Sequence, residues 1–337
     1  MTGSESPMYS GMVPRPARGT IAAAILFLAL LLLLPVLPNR FWLDLLIQIY
    51  INAIVAIGLN LLVGLAGQIS LGHAGFFAIG AYSAVLMPKY LGLPTAVSVP
   101  AGVLLAALVA LVIGRPLLRL RGHYLAMTTL AFGILVFIFL NNTSGITGGP
   151  DGISVPGLSF GSYTMPSGQS LAGVKTWYPV ILGVFAVIYA ISVAIQDSAV
   201  GRTLRAVRES EIATRFCGID VDALKIFVFV LSAAVAALAG VLASFYSGFV
   251  SPERSDFMYS TILITMIVLG GLGSTFGAVV GAVILTALPH ALVSFLEYES
   301  AMLGLILIIC MVFFRRGLVP TLSAMIAARN ERRTDQR

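Results

Sequence analysis

The sequence predicts an all-α, polytopic helical membrane protein of about ten transmembrane segments, and three observations carry that reading. Of 337 residues, 58% are hydrophobic and only 10% are charged, against about 25% charged in soluble domains. The mean hydropathy is +0.99. The apolar residues arrive in long runs of Leu, Ile, Val, Ala and Phe rather than at a period of 3.6 or 2, so most helices are greasy all round. Such a chain has too little polar surface for a soluble enzyme, a disordered chain or a disulfide scaffold. An outer-membrane barrel is excluded too, because its strands alternate over short segments.

A hydrocarbon core of about 30 Å takes about 20 apolar residues per helix. On that ruler the spans fall at 21–37, 41–65, 69–87, 93–114 and 124–140, then at 178–195, 224–249, 258–271, 277–295 and 301–314. The first follows Arg15 and Arg18 as a secretory leader would, but residues 34–40 offer no small-x-small cleavage site, so it is read as an uncleaved helix. The segments 258–271 and 301–314 are short, and read as tilted, re-entrant or longer than drawn.

Charge provides an independent check. If the amino terminus is cytoplasmic and all ten segments cross, sixteen basic residues fall on that side. They comprise Arg15 and Arg18; Arg115, Arg119 and Arg121; Arg202, Arg205, Arg208, Arg215 and Lys225; and six arginines from Arg315 to Arg337. The other side keeps Arg40, Lys89, Lys175 and Arg254. This positive-inside bias favours both termini in the cytoplasm. The net charge of +6 therefore reflects topology, and nucleic-acid binding is not expected. The organisation is a cytoplasmic segment at 1–19, a membrane domain at 20–314, and a basic cytoplasmic tail at 315–337.

Three stretches carry more than grease. Residues 58–82, GLNLLVGLAGQISLGHAGFFAIGAY, hold six glycines together with Asn60, Gln68, Ser70 and His73. Glycine lets helices approach closely, and it also loosens a helix by about 1 kcal/mol relative to Ala. Two readings stay open: a helix broken in the membrane, exposing donors and acceptors to a small polar solute, or close packing with polar residues as interhelical glue. Residues 141–176, outside, contain TSGITGGPDGISVPGL, dense in turn chemistry. A loop of that length without obvious helices either docks an outside protein, covers a path, or connects passively. Residues 196–225, inside, balance five basic against five acidic residues. Leu204, Val207, Ile212 and Phe216 predict one apolar helix face, ended by Gly218. The even balance of charge points to docking on a protein rather than on lipid alone.

The absences narrow the chemistry. No P-loop, zinc-type His-Glu-x-x-His or Cys-x-x-Cys motif occurs, so no catalytic or metal site is expected. Cys217 and Cys310 have no metal-ligand spacing to His73, His123 or His290. Acidic residues within the spans are scarce, with Asp44 near one end of its helix. A proton-coupled carrier usually keeps a buried carboxylate despite a cost of about 2.5–3.5 kcal/mol, so the driving energy is expected from elsewhere.

The 58–82 segment resembles the signature of permeases of branched-chain amino acid ABC importers, the LivH/LivM family. LRGHYLAMTTLAFG at 120–133, followed by TGGPDGI at 147–153, is similar to the LivM branch. The stretch 201–243 resembles that family's cytoplasmic coupling region and following helix, and VLGGLGSTFGAVVGAV at 268–283 its carboxy-terminal Gly-rich stretch. The likeness runs from about residue 45 to 314.

The resemblance implies an ABC importer permease fold in the bacterial inner membrane, paired with a LivH-like permease subunit. It also implies two cytoplasmic ATPase subunits that hold ATP and magnesium, and a periplasmic substrate-binding protein; no cofactor is implied in this chain. On that footing Asn60, Gln68, Ser70, His73 and Thr128 are expected along the substrate path. Gly201, Arg202, Arg205, Glu209, Glu211 and Gly218 are expected at the ATPase coupling region, and Thr147, Gly148 and Gly149 on the binding-protein side. Two departures stand out. The Glu-Ala-Ala-x-x-x-Gly motif of other importers is matched only loosely by Glu211-Ile212-Ala213 with Gly218. Gly133-Ile134-Leu135 is apolar where LivM-like chains often carry an acidic residue. Relatives of this fold also carry urea, short amides and aromatic acids, so the resemblance leaves the solute open.

Overall fold

The computed structural model describes residues 40–117, 120, 122–160, 163–291 and 317–321. The spans expected at 21–37 and 301–314, the segment 1–19 and most of the tail at 315–337 lie outside the described residues. What is described is almost wholly helical. Helix α1, Arg40–Asn60, continues as a π turn, Leu61–Leu65. Helices α2, His73–Leu91, α3, Thr95–Leu117, and α4, His123–Asn142, follow. A short α5, Ser144–Thr147, precedes α6, Leu171–Asp197. Two short helices, α7, Ala199–Glu209, and α8, Glu211–Phe216, lead to α9, Val221–Ser247. Helices α10, Phe257–Gly270, and α11, Thr275–Ala291, form a closing hairpin.

Among the described residues, five helices are long and apolar enough to cross a membrane: α1 with its π turn, α3, α4, α6 and α9. The best 18-residue window of α1 is 89% buried, whereas those of α3, α4 and α6 are 22% buried. Helix α1 is therefore the axis of the bundle, and those three helices turn apolar faces outward, as lipid contact requires. Helix α9 packs on α1, α2 and α3. Its ends are built for termination: Asp220 accepts a hydrogen bond from Ala223 N at 3.0 Å, and Gly248 closes the last turn at φ +68°.

The α2–α9 contact is a tight seam in the core. A methyl group on Gly240 would stand 1.9 Å from Phe77 O. Two backbones approach there as only small residues permit.

Three sequence expectations are corrected. The span drawn at 69–87 begins at His73 and runs to Leu91, because Gly67 turns the chain at φ +70° and residues 67–72 stay unwound. The span drawn from 178 begins at Leu171, where the Ser170 side chain caps Gly173 N at 3.0 Å. The loop expected to lack helices contains α5 and a 3₁₀ turn, Gly149–Asp151. It also contains β1, Ile153–Ser154, and the hairpin of β2, Ser159–Phe160, with β3, Tyr163–Thr164. Strand β1 pairs antiparallel with β4, Phe249–Val250, in the register Ile153↔Val250. A partner almost a hundred residues away leaves no local signature.

Candidate functional site

The Gly-rich segment combines a break in the helix at residues 67–72 with polar contacts between helices. His73, at the start of α2, is 1% exposed. Its Nδ1 lies 2.9 Å from Ser70 Oγ and its Nε2 lies 2.7 Å from Ser232 Oγ. Ser232 donates its own proton to Gly58 O at 2.7 Å, so it accepts from His73 Nε2–H, and Nδ1 accepts from Ser70. This chain of bonds staples the break to α1 and α9. Ser232 is the twelfth residue of the 27-residue α9, about 17 Å along it, so the staple sits deep in the bundle. His73→Ala is expected to lower the stability of the solubilised chain by about 1–2 kcal/mol, read as a lower unfolding midpoint.

Asn60 and Gln68 behave differently. Asn60 is wholly buried and its Oδ1 accepts from Gly273 N at 2.9 Å. Its Nδ2, and both side-chain heteroatoms of the 4%-exposed Gln68, have no hydrogen-bond partner among the described residues. Four of the five residues expected along the substrate path, Asn60, Gln68, Ser70 and His73, are thus buried within this chain. They shape the break rather than face outward.

Thr128 lies one residue from the hydroxyl that holds the unwound segment. Its hydroxyl donates to Tyr124 O of its own helix at 2.7 Å. The buried Thr129 instead accepts from Leu71 N at 3.1 Å and fastens the unwound segment to α4.

The segment 196–225, expected inside, also departs from expectation. Its single predicted apolar face is divided between two helices, because Ser210 is extended at φ −157° and its side chain caps Ala213 N at 3.2 Å, restarting the helix in a new phase. Leu204 and Val207 of α7 are buried, as is Gly201, where α7 folds back against the end of α6. Ile212 and Phe216 of α8 instead point outward, 62% and 87% exposed. Glu211 pairs with the buried Lys225 of α9, and Arg215 with Asp222 at 2.5 Å. Arg202, bonded to Asp197 O at 3.0 Å, and Glu209 are exposed; Arg205 is half-buried. Gly218, at φ +78°, lies just beyond the end of α8. An exposed isoleucine and phenylalanine four residues apart, flanked by charge, form an apolar knob on α8.

In the loop expected outside, Thr147 is fully buried, its hydroxyl shared between Leu140 O at 2.6 Å and Thr143 O at 2.8 Å. Gly149 N approaches its hydroxyl at 3.3 Å, and Gly148 and Gly149 both take positive φ. These three hold the loop's shape, whereas Ile146, Pro150 and Asp151 form its surface.

Next to this loop, where β4 leaves α9, lies a cavity of about 320 Å³. Its lining mixes apolar Phe77, Ala78, Ala81, Ala243, Phe249 and Val250 with polar Ser244, Ser247, Ser251, Glu253 and Arg254. Among the described residues no group of three or more His, Cys, Asp or Glu side chains is placed to hold a metal.

Residues 41–311 match the family described as branched-chain amino acid transport system / permease component. The chain belongs to that family. It is 38% identical over 264 residues to the high-affinity branched-chain amino acid transport system permease protein LivM of Salmonella typhimurium, covering 73% of this chain and 62% of that one. The LivM protein of Escherichia coli is 36% identical over 274 residues, 76% of this chain and 64% of that one. The LivH permease protein of S. typhimurium is 33% identical over 187 residues, 54% of this chain and 60% of that one. The chain thus spans a little under two thirds of the length of the two LivM relatives. The likeness read from the sequence at about 45–314 coincides with the matched region, and the apolar helices and the family together make this a multi-pass membrane protein. Two residues that bind the break to its surroundings, Ser232 and Thr129, lay outside the expected site. Each is a small hydroxyl in an apolar run, and neither carries a sequence signal of its own.

Proposed function

We propose that this chain is a permease subunit of an ATP-driven, binding-protein-dependent importer of branched-chain amino acids. It works with a LivH-like permease, two cytoplasmic ATPases that bind ATP and magnesium, and a periplasmic substrate-binding protein. It lies in the bacterial inner membrane with both termini in the cytoplasm, and it has no catalytic centre of its own. The observation that carries the reading is the Ile212–Phe216 knob: at a polar end of the bundle, two large apolar side chains project from a helix fixed to α9 by Glu211 and Lys225. An ATPase groove would cover them, and its closure would push on α7 and α8.

The cavity beside β4 supports an aliphatic α-amino acid as solute. Its apolar lining suits a branched side chain, and Glu253 and Arg254 offer opposite charges to an ammonium and a carboxylate. Arg254→Ala is expected to raise the apparent KM for leucine uptake about three- to tenfold, as loss of one partly solvated charge-assisted hydrogen bond would. Urea, short amides and aromatic acids are the alternative solutes for this architecture. Their competition against labelled leucine distinguishes them.

The reading as a whole is tested by affinity purification of this chain from its native membrane. Recovery of a second permease and two P-loop ATPases is expected. A chain that purifies alone would instead point to a stand-alone carrier.

A further inference from the structure

The π turn at the end of α1 is held from outside the helix. Gly67 reverses the chain at φ +70°, and Gln68 N turns back to Leu62 O at 3.2 Å. The carbonyl of Gly64 receives Arg208 Nη1 at 2.5 Å. Arg208 is the penultimate residue of α7, so its guanidinium reaches from the cytoplasmic element into the frayed end of the central helix, where orphan carbonyls collect. The fit is close: a methyl on Gly67 would stand 2.9 Å from Arg208 Cγ. The turn between α10 and α11 joins the same point through Asn60 Oδ1 and Gly273 N. From there the unwound residues 67–72 lead to Thr129 on α4 and, through Ser70 and His73, to Ser232 on α9.

We propose that Arg208 is the positioning residue that carries movement of α7 and α8 into the break of the membrane helix at residues 61–72. The proposal rests on the reading of α7 and α8 as the ATPase-facing element. Leu204 and Val207 seat α7 against the bundle without direction, but the guanidinium grips a particular carbonyl at a π turn, where the helical ladder is already out of register. Displacing α7 therefore pulls on the one part of α1 that can change its hydrogen bonding cheaply, and the shift reaches four helices that meet around residues 67–72. A plain helix cap would contribute stability alone. A coupling strut contributes transport per ATP hydrolysed.

The test uses the complex purified with its ATPase subunits, reconstituted with the binding protein and leucine. For Arg208→Ala, assembly and ATP hydrolysis are expected to stay within about twofold of wild type, while leucine moved per ATP falls about tenfold, with Arg208→Lys between. A second readout follows the break itself. Ile69, in the unwound segment and 43% exposed, is replaced by cysteine in a chain carrying Cys217→Ser and Cys310→Ser. Its maleimide labelling rate is expected to change between nucleotide-free and ATP-trapped complexes, and to lose that change when Arg208→Ala is added. If Arg208→Ala does not assemble, Arg208→Lys decides by the same two ratios. Unchanged leucine per ATP, or a retained labelling change, overturns the role of Arg208 while leaving the docking reading standing. A wild-type chain that recovers no ATPase overturns both.

Discussion

Phe216→Asp is expected to abolish ATP-driven uptake while leaving the chain folded in the membrane. Phe216 is 87% exposed, and no ring contact or hydrogen bond holds it among the described residues. Its replacement should change the stability of the isolated chain by no more than about 0.5 kcal/mol. At a docked interface, a buried aromatic anchor is worth about 2–4 kcal/mol, which converts to a loss of about 30- to 1000-fold in affinity. An aspartate left in an apolar groove adds a desolvation cost. Co-purification of the ATPases should fall steeply, with the LivH-like permease still retained. Phe216→Leu, which keeps an apolar side chain, should recover most of the binding. Equal ATPase recovery with Phe216→Asp and wild type would remove the knob from the docking surface.

Gly240→Ala should produce the opposite pattern: loss of the fold itself. The added methyl meets Phe77 O at 1.9 Å, and backbone on both sides leaves no flexible side chain to yield. Overpacking of a tight core costs about 1–3 kcal/mol when neighbours can shift, so the upper end or more is expected where two helix backbones must part. The α2–α9 seam also carries His73 and Ser232, so separating these helices strains the staple as well. Gly183→Ala on α6 is the control. Nothing lies within 4 Å of its added methyl, and in a helix interior the exchange should be neutral or stabilising by about 0.5–1 kcal/mol. Thermal unfolding of the two variants in detergent separates the predictions, and an unshifted midpoint for Gly240→Ala would show the seam to be looser than described.

The bundle was legible because lipid imposes one rule along the whole chain. Runs of about twenty apolar residues give helices whatever their packing, and most of the described spans overlap their predicted positions. Packing was not legible. A hydroxyl such as Thr129 rather than Thr128 becomes the partner of Leu71 through helix phase, and phase has no marker when every face is apolar. The 196–225 segment was misread for a related reason. Leu204, Val207, Ile212 and Phe216 share one face only if the helix is continuous, and Ser210 is a cap that restarts it. That signal was present, since Ser210 precedes Glu211 as a helix start commonly reads. The pairing of β1 with β4 and the reach of Arg208 to Gly64 join residues 95 or more positions apart, where periodicity carries no information.

The most direct test of the proposed activity is leucine uptake into proteoliposomes carrying the complex purified on this chain, with the binding protein outside and nucleotide controlled within. Uptake that requires both magnesium-ATP and the binding protein, and that disappears with Phe216→Asp, is the predicted result. Leucine movement by this chain alone, without ATP and indifferent to Phe216, would contradict it and identify a self-sufficient carrier.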